Sequence, residues 1–254
     1  MQPSSLQPNL FQRAAKSCYR ALRRFIRTLV PTVCPVCHKQ LKRYENFICL
    51  PCLCDAPFTN MWLTRDNYME QRYWGSVPIV RAASLLWYME GSKWREAIHN
   101  FKYHNDYYLG ERFGRMMAVE FSKADFFKDI DTIIPIPLHP QRRFDRYYNQ
   151  SEYLAQGISN YTGINIDLHS VIRIVNNPPQ VKLGLGERIR YTNNIFSVPN
   201  PQNLEGRHIL LVDDVFTSGS TTISCARAIM KACNDNVRIS VATFAATQQM
   251  RGGE

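Results

Sequence analysis

Two adjacent carboxylates, Asp213 and Asp214, follow the apolar run Ile209 to Val212 and precede a hydroxyl-rich turn made of Thr217, Ser218, Gly219, Ser220 and Thr221. A β-branched apolar run between polar residues predicts a strand buried on both faces, and apolar positions at helical spacing predict a helix over 220–230. Residues 213–219 are then expected to form a strand-to-helix loop at the carboxyl end of a strand, where open α/β sheets bind ligands. Backbone N–H groups at a helix N-terminus, four hydroxyls and a glycine permitting close approach suit a phosphate. Two carboxylates repel that anion, so they are expected to serve another part of the same ligand, a vicinal diol or a metal ion. The plainer alternative makes Asp213 a helix cap and Asp214 a solvated acid.

A second constellation is "CPVCHKQLKRYENFICLPC". Cys34 and Cys37 are separated by two residues, as are Cys49 and Cys52, with eleven residues between the pairs. That spacing lets two tight turns present four thiolates to one tetrahedral zinc, and a site closed by four thiolates is structural. Disulfides are the rival, disfavoured in a reducing compartment. Cys54 is close enough in sequence to replace Cys52. His38, beside a ligand, reads as a loop residue, and Cys18, Cys225 and Cys233 read as buried inert thiols on helix faces.

A third is "TIIPIPLHPQRRFDRYYNQSEYLA". Prolines after a buried strand deny the loop helix and ladder pairing, so His139, Arg142, Arg143 and Arg146 are expected to project at the same sheet edge as the acid pair. Planar guanidinium groups suit a pyrophosphate, although a solvated basic loop is the simpler reading.

The stretch "LLVDDVFTSGST" resembles the phosphoribosyl-pyrophosphate (PRPP) signature of type I phosphoribosyltransferases. The order of the four-cysteine module, "FKYHND", "PIPLHPQRRFDRYYNQ", the pattern Gln180, Leu183, Arg188 and Phe196, and the acid-pair signature resembles the ComF/ComFC family of competence proteins from about Val33 onward. The family's Arg–Gly–Phe–Asn–Gln reads Arg146–Tyr147–Tyr148–Asn149–Gln150 here, and its Asn three places after Arg188 is Tyr191. The resemblance implies a type I phosphoribosyltransferase-like domain that binds PRPP with Mg2+. It implies a catalytic set of Asp213, Asp214 and Arg142, with Thr217, Ser218, Gly219, Ser220 and Thr221 on the 5-phosphate. Leu138, His139 and Arg142 would receive the pyrophosphate, and Lys102 and Arg188 would close over the ligand. It further implies single-stranded DNA as a partner, a competence helicase or ATPase as another, and a role in DNA uptake. The competing reading is an active transferase passing phosphoribose to an amine or base.

These groups need a scaffold. Strands are expected at 80–88, 132–136, 171–175, 209–212 and 237–244, and helices at 92–102, 109–122, 149–159 and 220–230, the alternation of a parallel α/β sheet. The expected division is a basic amphipathic helix at 1–32, a zinc-ribbon module at 33–58, a linker at 59–76 and the phosphoribosyltransferase-like domain at 77–254.

An apolar fraction of 45% and a charged fraction of 20% are those of an ordinary soluble protein. No apolar run approaches the roughly 18 residues that cross a bilayer, so a cytoplasmic location is expected. The net charge of +10 is concentrated: residues 1–44 carry nine Lys or Arg and no acid. The expected helix, with Phe11, Cys18, Leu22, Phe25 and Leu29 on one face, could dock on its own domain, contact nucleic acid through its bases, or lie on a membrane surface.

Overall fold

The computed structural model describes residues 33–103, 107–139, 149–175 and 195–247, in two compact units divided between Asp55 and Ala56. The expected basic helix lies outside the described residues. No helix among the described residues is long and apolar enough to cross a membrane.

The larger unit is built on a five-stranded sheet in the order β1-β7-β6-β2-β3. Its strands are β1 (Ala82–Tyr88), β2 (Thr132–Pro135), β3 (Asn165–Ile166), β6 (His208–Phe216) and β7 (Arg238–Thr247), and every pairing is parallel. Strands buried on both faces need mainly apolar runs, and β7 meets that need with Ile239 to Ala246 all buried, Ser240 and Thr243 the two polar residues among them. β4 (Ile172–Arg173) and β5 (Phe196–Ser197) form a separate antiparallel pair. The apolar 171–175 run, expected as a sheet strand, therefore contributes only two residues to a ribbon, with Ile172 and Ile174 exposed.

Crossovers are helical: α3 (Lys93–Tyr103) and α4 (Tyr107–Phe121) between β1 and β2, α5 (Gln150–Thr162) between β2 and β3, and α6 (Ser220–Ala232) between β6 and β7. From β2 the chain moves outward to β3, whereas from β6 it moves the other way to β7. The crevice between β2 and β6 is the point where the strand order reverses, the ligand position of open α/β sheets.

Residues 59–76, read from sequence as a linker, are packed instead. A 3-10 turn at Met61–Leu63 and the short helix α2 (Tyr68–Gln71) bury Met61, Trp62, Met69 and Tyr73. Asn67 and Glu70 cap α2 reciprocally, and Glu70 also accepts the Ala82 N–H at 3.1 Å and lies 3.4 Å from Arg81 Nε. Just before this segment, Pro57 accepts the Trp87 N–H at 2.8 Å and Phe58 bridges Leu86, and within it Thr59 N–H donates to the Leu85 carbonyl at 3.0 Å, so the chain from Pro57 onward covers the outer edge of β1.

Aromatic rings fasten the first crossover to the sheet. Phe113 of α4 stacks on Phe244 of β7 at 4.3 Å, and Phe101 of α3 meets both edge-on. α4 and α5 cross backbone to backbone. A Cβ on Gly157 would sit 2.0 Å from the Glu111 carbonyl oxygen, and one on Gly114 2.1 Å from that of Leu154. Replacing either glycine by alanine should therefore destabilise the unit by roughly 2–4 kcal/mol, read as a lower urea midpoint at unchanged slope.

Candidate active site and metal centre

The acid pair does not sit in a loop. β6 continues through Phe216 because β7 supplies partners that far: Asp213 pairs with Thr243, Val215 with Ala245 and Phe216 with Ala246. The expected loop of 213–219 shrinks to three residues before α6 starts at Ser220. Strand alternation turns the two half-buried acids to opposite sides of the strand end.

Asp213 Oδ1 accepts the Ser151 hydroxyl at 3.1 Å and the Asp214 N–H at 2.9 Å, and Asp214 Oδ1 accepts the Val215 N–H at 2.6 Å. Ser151 is buried in the first turn of α5, whose N-cap, Asn149, accepts the Ser151 N–H at 3.3 Å. The Asn149 amide also donates to the Ile136 carbonyl at 3.1 Å, tying the start of α5 to the residue that follows β2. Ile136 N–H in turn donates to the Val212 carbonyl at 2.8 Å, so half-buried Leu138 and His139 leave the sheet on the strand adjoining the acids. Beside Asp213 in register, the Thr243 hydroxyl is buried and has no partner among the described residues.

The hydroxyl turn is shaped by Gly219. Its φ of +78° is left-handed, and a Cβ there would meet the Phe216 ring at 2.8 Å, so only glycine fits without strain. Thr217, Ser218 and Ser220 are exposed and Thr221 half-buried; Ser218 and Ser220 hydroxyls lie 3.2 Å apart. Below them Thr222 donates to the Gly219 carbonyl at 3.0 Å and shares a hydrogen bond of 2.7 Å with the buried Tyr73 hydroxyl. Burial raises the Tyr73 pKa, with the Asp213 charge adding to it and the Thr222 bond opposing it. α6 therefore offers an N-terminus with exposed hydroxyls, on a turn held from beneath.

The structure thus brings Asp213, Asp214, Thr217 to Thr221, Leu138 and His139 to neighbouring strand ends. Arg142, Arg143, Arg146 and Arg188 lie outside the described residues, and Lys102 is placed only as part of the α3 backbone. Ser151, Asn149, Thr222, Tyr73 and Thr243 escaped recognition as site residues. Asn149 stood inside the quoted family motif, and Ser151 directly follows it; nothing local in the sequence marks Tyr73 or Thr243.

In the smaller unit Cys34, Cys37, Cys49 and Cys52 converge, their four sulfurs all within 4.8 Å of one another. A tetrahedral zinc with bonds of about 2.3 Å needs sulfurs roughly 3.8 Å apart, and Cys37 and Cys49 stand at 3.6 Å. The turn after Cys34 closes through the Cys34 carbonyl and His38 N–H at 2.8 Å, with His38 at a φ of 58°. The other pair rides on helix α1 (Leu50–Cys54), where Cys49 is the N-cap and Cys52 follows one turn later. Glu45 ties the intervening loop to this helix, accepting the Lys42 and Leu50 N–H groups at 2.8 and 2.9 Å. Cys54 is exposed and outside the cluster, which decides against its replacing Cys52. In the metal-free thiol form the Lys39 N–H lowers Cys37 to about 7, whereas burial raises Cys49 and Cys52.

No family profile matches the chain. Among curated proteins it is similar to Competence protein ComFC of Bacillus subtilis (strain 168), 30% identical over 200 residues covering 78% of each chain. It is similar to Competence protein F of Haemophilus influenzae at 30% identity over 56% of this chain and 64% of that one. DNA utilization protein YhgH of Escherichia coli (strain K12) matches at 29% over 53% of this chain and 60% of that one. The last two matches thus span less than two thirds of those relatives. Among solved structures, glutamine PRPP amidotransferase from B. subtilis, complexed with ADP and GMP, aligns with a TM-score of 0.38 and 18% identity, over 57% of this chain and 30% of that chain.

One metal ion per chain is the expected content. Cys52→Ser should lose it and Cys54→Ser should keep it, measured by elemental analysis of purified protein. Because Cys49 and Cys52 hold their protons when metal-free, binding must release protons, so metal affinity should fall steadily as pH falls. A competition titration against a chromophoric chelator at several pH values reads this directly.

Proposed function

The chain belongs to the ComF/ComFC family of competence proteins, and on that premise we propose that it binds PRPP with Mg2+ and single-stranded DNA, acting in DNA uptake during natural transformation. The carrying observation is the arrangement at the end of β6, two acids still held in the sheet and three residues later a glycine-capped helix with exposed hydroxyls. A hydroxyl-lined helix N-terminus accepts a 5-phosphate, and the carboxylates accept ribose hydroxyls. Ser151 holds Asp213 in its orientation, and Asn149 ties the start of α5 to Ile136, just after β2 and just before Leu138 and His139.

The donor set suits magnesium, a hard cation that favours carboxylate and hydroxyl oxygens, and the Thr243 hydroxyl beside Asp213, without a partner among the described residues, adds a neutral oxygen there. Bound there, Mg2+ would supply charge neutralisation between the acids and the ligand's phosphates. The cysteine cluster fits zinc in a structural role, because four thiolates leave no open coordination position. The names of the relatives, competence and DNA-utilization proteins, support the DNA reading, as does the concentration of bases at the N-terminus.

Calorimetry with PRPP and magnesium tests the first part: Asp213→Asn and Asp214→Asn should abolish measurable binding. Ser151→Ala should weaken it roughly fivefold, the worth of one hydrogen bond of about 1 kcal/mol. Unchanged affinity in the two acid variants would remove the acids from the site. For DNA, log affinity should fall with log salt at a slope of roughly −3 if about four bases contact phosphates. Deleting residues 1–30 should flatten that slope and leave PRPP binding intact.

A further inference from the structure

Away from the acid pair, a cleft of about 570 Å³ opens along the strap of residues 74–80 that leads into β1, with Arg65, Glu70, Tyr73 and Trp74 on its walls. Trp74 is 63% exposed on this rim. A tryptophan left in water forgoes one of the largest burial gains available to a side chain, and its flat face is what a nucleobase stacks upon. Two guanidinium groups are anchored along the same strap. Arg227 Nε of α6 reaches the Ser76 carbonyl at 3.4 Å, and Arg65 Nη1 donates to the Val80 carbonyl at 2.9 Å. Among the described residues each of these bonds uses one of five N–H donors, leaving the rest of an exposed fork for phosphate oxygens. Ser76 and Val80 are four residues apart, so the anchors lie within about 14 Å of chain.

The acids on the walls do not defeat this. Glu70 is buried and paired, receiving the Ala82 N–H at 3.1 Å and facing Arg81 at 3.4 Å. Asp66, exposed, can accept an N–H from a base edge, the N3–H of a thymine among them. Pro78 and Val80 are exposed and Ile79 half-buried, giving apolar ground for a sugar.

We infer that this cleft is a nucleotide-binding groove, taking one base of a single strand on Trp74 and its flanking phosphates on Arg227 and Arg65. The inference rests on the reading that the chain binds single-stranded DNA, and it assigns part of that binding to the larger unit. The groove is also wired to the acid-pair site, since Tyr73 forms one of its walls and bonds Thr222 at the first turn of α6.

The test uses the full chain and a labelled oligothymidylate of roughly 20 nucleotides, long enough for a typical site. Trp74→Ala should weaken binding at least about fivefold and Trp74→Phe should restore most of it. Arg65→Gln and Arg227→Gln should each reduce the salt slope by about 0.7. All three positions are exposed, so thermal unfolding and PRPP binding should not change. Binding by the parent chain that survives all three substitutions overturns the groove and leaves the DNA reading standing. No binding by the parent chain overturns both. Thymidine monophosphate binding as tightly as the oligonucleotide, and lost in Trp74→Ala, overturns the strand as occupant in favour of a free nucleotide.

Discussion

Everything at the candidate site depends on the pairing of β6 with β7 continuing past the apolar run. Had the ladder ended at Val212, Asp213 and Asp214 would belong to a free turn, and their carboxylates would be oriented only by solvent. Because Asp213 pairs with Thr243 and Phe216 with Ala246, the backbone beneath both acids is fixed by the sheet. Phe216 is fixed with them, and its ring packs close enough to Gly219 to leave no room for a side chain there. One register thereby sets the positions of the acids and the hydroxyl turn together.

Around this ladder the site is closed by short polar ties from distant parts of the chain. Ser151 bonds Asp213, Asn149 bonds the Ile136 carbonyl, and Tyr73 bonds Thr222. The first two ties lie at the crevice between β2 and β6, and the third holds the first turn of α6. Such an arrangement orients charged groups before any ligand arrives, so little reorganisation is needed on binding. Buried polar ties of this kind are costly when half-satisfied, and Tyr73 shows the pressure: burial pushes its hydroxyl away from ionisation, which keeps it a neutral donor for Thr222.

The two units hold themselves together by different means. The larger has long, fully buried and mainly apolar strands, stacked aromatic rings and a backbone-close helix pair, the ordinary resources of a sheet domain. Among the described residues of the smaller unit the buried side chains are chiefly the cysteines themselves with Val36 and Ile48. A segment with so few apolar groups cannot offset the entropy of ordering its loops, and metal–thiolate bonds are the available substitute.

The sequence by itself determined the parallel α/β class, the helix after the acid pair, the set of four clustering cysteines and the location of the acids, because each is encoded in local spacing: periodicity 2 or 3.6, paired Cys-x-x-Cys steps, adjacent carboxylates. Only the tertiary structure decided where β6 ends, since Asp213 and Asp214 are poor strand residues and the strand runs through them to Val215 and Phe216 because β7 pairs beside it. It alone separated Cys52 from Cys54, which differ by two residues in sequence and by burial in space. It also turned residues 59–76 from a linker into packed cover for β1, because the partners of Trp62 and Tyr73 lie on Phe121 and Thr222, beyond the reach of any local pattern.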